Sequence, residues 1–505
     1  MSRMALVSTV ILVLLCSFAK ISHAHPHHRP PTVEESLAPI DTVLWIHMGL
    51  QVLVWGFIFP IGMVLGMTRS RWHVPLQSVG FILTFGGYIV GHAHKGRQFP
   101  AGVHGMVGTA LLIPIFAQLL LGIYLKLHIH EQSLRPYAVV FHGILGKGFP
   151  IIGWVQMLFG AVTVGEYCRG DNLGQCLAHY IMGSGFIAYA VIMAILFLAG
   201  ENWIRRSGRS PELFDSSVIM IWGIVNTFTE HRGSVWHVRD MQHTMLGVIW
   251  WAGGALGIFL SRNNQRSVVP SLILMITGWA MSEHAQDLMI STMVHSVFGR
   301  ALMLAGLTRI IEVCYFAPRF KPLGPNSGAG ATTPHEAIPS GDDGASDRTL
   351  AEGPAGSSRE DEKTSRSAAS VAFRHLPPFL MIVSGITFMS ATNEELTFVH
   401  AEGVDHVTYL LIMFTLAFVL YLLIVSCIYL YSNSGRNAVS GNKAEYEMGS
   451  IGRGSGATPK WYARVPNAED GPGGISHRRG ESVHVIGDDG EEDDEPQRGL
   501  YNTAR

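Results

Sequence analysis

Residues 42–66 read TVLWIHMGLQVLVWGFIFPIGMVLG, an apolar run without Asp, Glu, Lys or Arg. A helix rising 1.5 Å per residue needs about 20 such residues to cross bilayer hydrocarbon. Backbone groups in lipid must hydrogen-bond within the segment, so the run predicts a spanning α-helix. Similar runs follow near 73–91, 104–125, 138–164, 176–200, 214–229, 241–260, 267–282, 289–316, 376–392 and 406–432. The expected fold is therefore all-α: a polytopic integral membrane protein with about eleven transmembrane helices. Composition agrees, with 48% of the 505 residues hydrophobic and 15% charged. A net charge of −2 leaves no electrostatic footprint for nucleic acid, and the partner that follows directly is the lipid bilayer.

The flanks set orientation. Arg3, the short apolar stretch Met4–Ala19 and the small residues of Ser22-His23-Ala24 predict a cleavable signal peptide over 1–24. Residues 25–41 are then a short outer or lumenal N-terminus. Arg69, Arg71, Lys126, Arg135, Arg205, Arg206, Arg209, Arg262, Arg266, Arg319 and Lys321 fall in the alternate connections that this places in the cytosol. The opposite connections hold fewer basic residues, which is the positive-inside bias. The expected address is the secretory pathway: endoplasmic reticulum, Golgi, vacuole or plasma membrane. Residues 318–372 and 433–505 are rich in Gly, Ser, Pro and charge, the latter with GEEDDE at 490–495. Both are expected to be disordered and cytosolic, a linker and a tail open to cytosolic partners. Cys168 and Cys176 flank a short polar loop; on the lumenal side they predict a disulfide, with two free thiols as the alternative.

Four of the 24 histidines stand out. His47 lies one turn into the first helix and His104 opens the third, both toward the outer face. His73 opens the second helix and His142 lies one turn into the fourth, both toward the inner face. Ionisable residues inside spans are costly and usually functional. Two imidazole pairs at two depths of a four-helix bundle suit two bis-histidine haem b groups, which carry electrons where ions cannot pass. The alternative is that interfacial histidines only bond neighbouring helices. Lys147, five residues after His142, is a candidate partner for a haem propionate or an anionic reductant.

The stretches IHMGLQVLVWGFIFPIGMVLG, WHVPLQSVGF, VHGMVGTALLIPIFAQLLLGIY and FHGILGKGFPIIGWVQMLFG resemble the cytochrome b561 family in its ferric-reductase branch, over residues 42–165. The resemblance implies haem ligands on alternate helices, His47 paired with His104 and His73 with His142. RSRWHVPLQ, GHAHKGRQF, GQCLAHYIMGSGFIAYA, VNTFTEH, STMVHSVFG, HLPPFL and GVDHVTYLL resemble the fungal Ytp-type membrane protein family, over nearly the whole membrane region. That resemblance implies architecture more than activity, with 176–316 and 375–432 as a C-terminal membrane module.

Helices two and three, six and seven, and eight and nine are joined by similar hairpins. Each has a histidine at the helix exit and His-x-x-x-Gly at the next entry. The expected outer face therefore gathers His92, His94, His231, His237, His243, His284 and His295 with Glu230 and Glu283. Imidazole and carboxylate together suit zinc, copper or iron. Three functions follow. The first is transmembrane electron transfer through two b-type haems, with unknown donor and acceptor and metal reduction as one outlet. The second is divalent-metal binding or transport at the outer face. The third is a non-catalytic membrane scaffold.

Overall fold

A computed structural model describes residues 31–229, 236, 238–283, 286, 288–316 and 355–438. The expected signal peptide and most of the linker and tail lie outside the described residues. Fourteen α-helices are followed here: α1 (Val33–Leu37), α2 (Thr42–Met67), α3 (His73–Ala93), α4 (Val103–Lys126), α5 (Arg135–Gly165), α6 (Leu173–Leu198), α7 (Glu201–Ser207), α8 (Pro211–Thr229), α9 (Val238–Leu260), α10 (Val269–Ser282), α11 (Met289–Ile311), α12 (Ala355–Met389), α13 (Asn393–Ala401) and α14 (His406–Asn433). The eleven predicted runs each coincide with one of them.

Eight helices among the described residues are long and apolar enough to cross a membrane: α2, α3, α4, α5, α6, α9, α12 and α14. The other three predicted spans fall short. α10 has 14 residues. α8 begins with Glu212 and Asp215, and α11 carries Arg300 and Arg309.

Local signals explain the helix starts. Asp41 caps α2 by accepting from the Leu44 amide at 2.9 Å. The same carboxylate accepts from the amides of Lys95 and Gly96, tying the α3–α4 connection to the start of α2. These amides, Lys95 first, hold the Asp41 carboxyl below the usual carboxylate range. Thr392 caps α13 and Asp405 caps α14 in the same manner.

Packing divides into two neighbourhoods. α2 pairs with α3, and α4 with α5, around a small core of Val54, Trp55, Phe59, Leu111, Ile115 and Phe149. The larger core joins α6, α11, α12 and α14, with Met193, Phe298, Leu302, Met381 and Ile382 almost wholly buried. Lipid offers helices no hydrophobic drive to associate, so close approach at small residues takes over. A Cβ on Gly183 would meet the Gly385 carbonyl at 2.7 Å, and one on Gly385 would meet the Gly183 carbonyl at 2.7 Å. Gly278 and Gly299 press on one another's carbonyls likewise, fixing α6 on α12 and α10 on α11.

Two described stretches adjoin the expected linker and tail. α12 begins at Ala355, so residues 355–372 are helical rather than part of an irregular linker. The helix runs on into the apolar span starting at Ala369. At the other end, the Ser434 hydroxyl pairs with that of Thr68 at 2.9 Å, and the Arg436 amide donates to the Thr68 carbonyl at 2.9 Å. The first residues past α14 therefore dock on the end of α2.

Candidate functional site

The four-helix unit α2–α5 brings the four predicted imidazoles into two pairs. His47 and His104 have ring centroids 6.2 Å apart with planes at 85°. His73 and His142 repeat this at 6.2 Å and 88°. A metal between two imidazoles, with bonds of about 2 Å and ring nitrogens about 1.1 Å from each centroid, separates the centroids by about 6.2 Å.

Each ring is oriented from behind. His47 Nδ1 lies 2.7 Å from the Gly87 carbonyl, and His73 Nδ1 lies 2.7 Å from the Gly62 carbonyl. A carbonyl accepts only N–H, so Nδ1 carries the proton and Nε2 keeps its lone pair, the tautomer of a metal ligand held by its outer partner. His104 Nδ1 faces Gln156, with the amide nitrogen at 3.1 Å and the backbone oxygen at 3.3 Å. His142 Nδ1 is buried without a hydrogen-bond partner among the described residues.

The contacts are reciprocal. A Cβ on Gly91 would collide with His47, and one on Gly66 would reach His73 at 2.8 Å. A Cβ on Gly160 would lie 3.1 Å from His104, and one on Gly122 would lie 3.6 Å from His142. Glutamines complete the scheme. Gln51 donates to the Thr84 carbonyl and Gln77 to the Phe59 carbonyl. Gln118 donates to the His142 carbonyl and Gln156 to the His104 carbonyl. Each antiparallel pair thus has a local two-fold that exchanges its helices.

The spacing behind this is regular. Gly87 and Gly91 follow His73 by 14 and 18 positions, Gln118 and Gly122 follow His104 by 14 and 18, and Gln156 and Gly160 follow His142 by 14 and 18. On α2, Gly62 and Gly66 follow His47 by 15 and 19. The extra residue is absorbed by a π-helical turn at Val54–Ile58, between His47 and Gly62. Such turns hold a one-residue insertion inside a helix and concentrate at functional sites.

Haem fits these residues by one further observation. Glycines face the imidazoles where a side chain would fill the space beside each ring. Between the pairs, Trp55, Phe59 and Phe149 pack edge-to-face or tilted with centroids 4.9–5.7 Å apart.

The remaining predicted site residues are less concentrated. Lys147 is exposed on α5. His92 rests on Tyr88, with Nδ1 2.9 Å from the Tyr88 carbonyl, and His94 ends α3. Glu283 ends α10. His231, His237, His284 and Glu230 lie outside the described residues. Among the described residues, His92, His94, His243, His295 and Glu283 form no three-ligand cluster. The group that does is Cys168, Cys176 and Glu394, and those cysteines are joined in a disulfide. Glu394 accepts from the Cys168 and Arg169 amides, so its carboxylate fastens α13 to that loop.

One cluster was not visible in the sequence. At the far end of the C-terminal module, Glu212 accepts from Arg309 at 2.7 Å and from Arg266 at 2.8 Å. Arg309 also bonds Glu312, lies 3.7 Å from Asp215 and sits 4.3 Å over the Phe197 ring. Glu212, Asp215, Arg309 and Glu312 are all buried.

Comparison with known proteins places this arrangement in context. The family described as Protein YTP1-like, C-terminal, matches residues 152–432, and a domain of unknown function, DUF2427, matches 27–128. The chain is 40% identical to Protein YTP1 of Saccharomyces cerevisiae over 285 residues, 56% of this chain and 52% of that protein. It therefore spans about half the length of that relative. An uncharacterized membrane protein of Schizosaccharomyces pombe is 23% identical over 416 residues, covering 56% of this chain and 81% of its own length. A second uncharacterized membrane protein of S. cerevisiae is 24% identical over 248 residues, 39% of this chain and 38% of its own. No solved structure matches.

Proposed function

Because the chain belongs to the YTP1-like family and is an integral membrane protein, we propose that its four-helix unit α2–α5 binds two b-type haems and conducts electrons across the bilayer. His47 and His104 would hold one haem at one end, and His73 and His142 the other at the opposite end. The observation that carries this reading is the repetition of one imidazole-pair geometry, 6.2 Å and near-perpendicular, at both ends of the unit.

Bound haem supplies one-electron redox chemistry that no side chain here offers. The chain's own residues do the rest. The Gly87 and Gly62 carbonyls hold His47 and His73 in the ligating tautomer. Gly91, Gly66, Gly160 and Gly122 keep the space beside the rings open. About 28 Å of helix rise separates His47 from Gly66, the residue against which His73 packs, so the two pairs stand near opposite faces of the hydrocarbon. The wedge of Trp55, Phe59 and Phe149 keeps water out of the middle. The reductant and the oxidant are small molecules or proteins reached at the two ends; metal reduction is the outlet we favour, given the histidines His92 and His94 beside the His47 end.

The test is a reduced-minus-oxidised absorbance spectrum of the detergent-purified protein with haem quantified on the same sample. Two b-type haems per chain are expected. His47→Ala and His104→Ala should each remove one and the same haem, and His73→Ala and His142→Ala the other. Folded, monodisperse protein without haem overturns the proposal and leaves a scaffold role.

A further inference from the structure

A third imidazole pair exists in the C-terminal module, outside the four-helix unit. His179 on α6 and His295 on α11 have ring centroids 5.9 Å apart with planes at 84°. More than a hundred positions separate them in the chain, so tertiary packing alone brings them together. His295 is 3% exposed.

The two rings are oriented alike. His179 Nδ1 lies 2.8 Å from the Gln175 carbonyl, and His295 Nδ1 lies 2.9 Å from the Ser291 carbonyl, each four residues back on its own helix. Both Nδ1 atoms therefore carry the proton, and each Nε2 keeps its lone pair on the side of the ring away from that helical turn. This is the arrangement that outer partners impose on metal-ligating histidine. A third imidazole, His243 on α9, interacts electrostatically with His295.

The surroundings separate this pair from the two in α2–α5. There, glycines on the partner helix face the rings. Here, Phe388 stacks flat on His179 at 4.6 Å and 13°, and Phe298 packs on Phe388 at 4.6 Å. The glycines one turn beyond each histidine, Gly183 and Gly299, are pressed against the backbones of α12 and α10. An aromatic wall on one side and touching helices below occupy the positions that glycines leave open beside the rings of α2–α5, which excludes a flat macrocycle.

We propose that His179 and His295 form a transition-metal site for copper or zinc. Imidazole suits both ions, and two rings in this tautomer with centroids 5.9 Å apart are a ready start for either. The site lies at the end of the module that carries the Cys168–Cys176 disulfide, since His179 is one turn beyond Cys176. It is independent of the haem proposal: it uses no residue of α2–α5 and stands if no haem is found.

The experiment uses the purified full-length chain, stripped with chelator and titrated separately with zinc and with copper(I). One tightly held ion per chain is expected, with affinity about a hundredfold weaker in His179→Ala and in His295→Ala. Haem content and elution volume of each variant are measured alongside, as controls for folding. Unchanged stoichiometry and affinity in both variants overturns the site.

Discussion

Glu395 on α13 makes stability depend on pH in a direction that can be worked out from its surroundings. It is partly buried, and its Oε1 accepts from the Tyr409 hydroxyl at 2.8 Å. Burial pushes its carboxyl from the usual 4.5 up to about 7, against the lowering effect of that hydroxyl. A carboxyl whose pKa is higher folded than unfolded holds its proton longer in the native state. Below pH 4.5 both states are protonated and nothing is lost. Between 4.5 and about 7 the unfolded chain ionises first, so stability falls as pH rises. The full shift corresponds to about 3 kcal/mol, and partial exposure reduces the expected effect to about 1–3 kcal/mol. Glu395→Gln keeps the shape and an acceptor for Tyr409 but cannot ionise. In thermal unfolding of the detergent-purified protein, wild type should lose several degrees between pH 5 and 7.5. The variant should lose less and be the more stable of the two at pH 7.5. Parallel pH profiles would show that Glu395 is solvated and ionised throughout, and the reasoning from burial would fail.

Two further outcomes follow from particular contacts, in addition to the haem and metal measurements. Arg309→Met removes the charge bonded to both Glu212 and Glu312 and leaves buried carboxylates with Arg266 alone; the expected loss is about 3–5 kcal/mol, measured by thermal unfolding, and a loss under about 1 kcal/mol would mean that water already reaches the cluster. Deleting Gly56 takes one residue from the π turn and restores on α2 the 14 and 18 spacing of the other three helices, so the His47 haem should be retained, whereas inserting one alanine there should abolish it; the reverse pattern in haem content would overturn the ladder.

The fold was legible because lipid punishes any unpaired backbone group, so apolar run length reports helices directly. α10, with 14 residues, and α8, with Glu212 and Asp215 in its first turns, were the hardest to read because neither meets that rule by itself. The pairing of His47 with His104 and of His73 with His142 was accessible from helix alternation and depth. The partners behind them were not. Gln118 or Gly160 gains meaning only when an antiparallel neighbour is known, and the one-residue offset in α2 hides the common spacing from a scan for repeats. His179 escaped because its partner lies on another helix far along the chain. Likewise Glu212 and Arg309 meet from 97 positions apart, a distance across which periodicity says nothing.

The reciprocal contacts of α2–α3 and α4–α5 bear on direction of flow. A two-fold lying in the plane of the bilayer turns one face of the unit into the other, so a carrier entering from either side meets nearly the same first neighbours. If the unit conducts electrons as proposed, matched ends give it no built-in rectification. What breaks the match is small and nameable: one π turn in four helices, on the helix that carries His47. Under the proposed haem reading, any preferred direction then arises from that offset and from the reactants at each face.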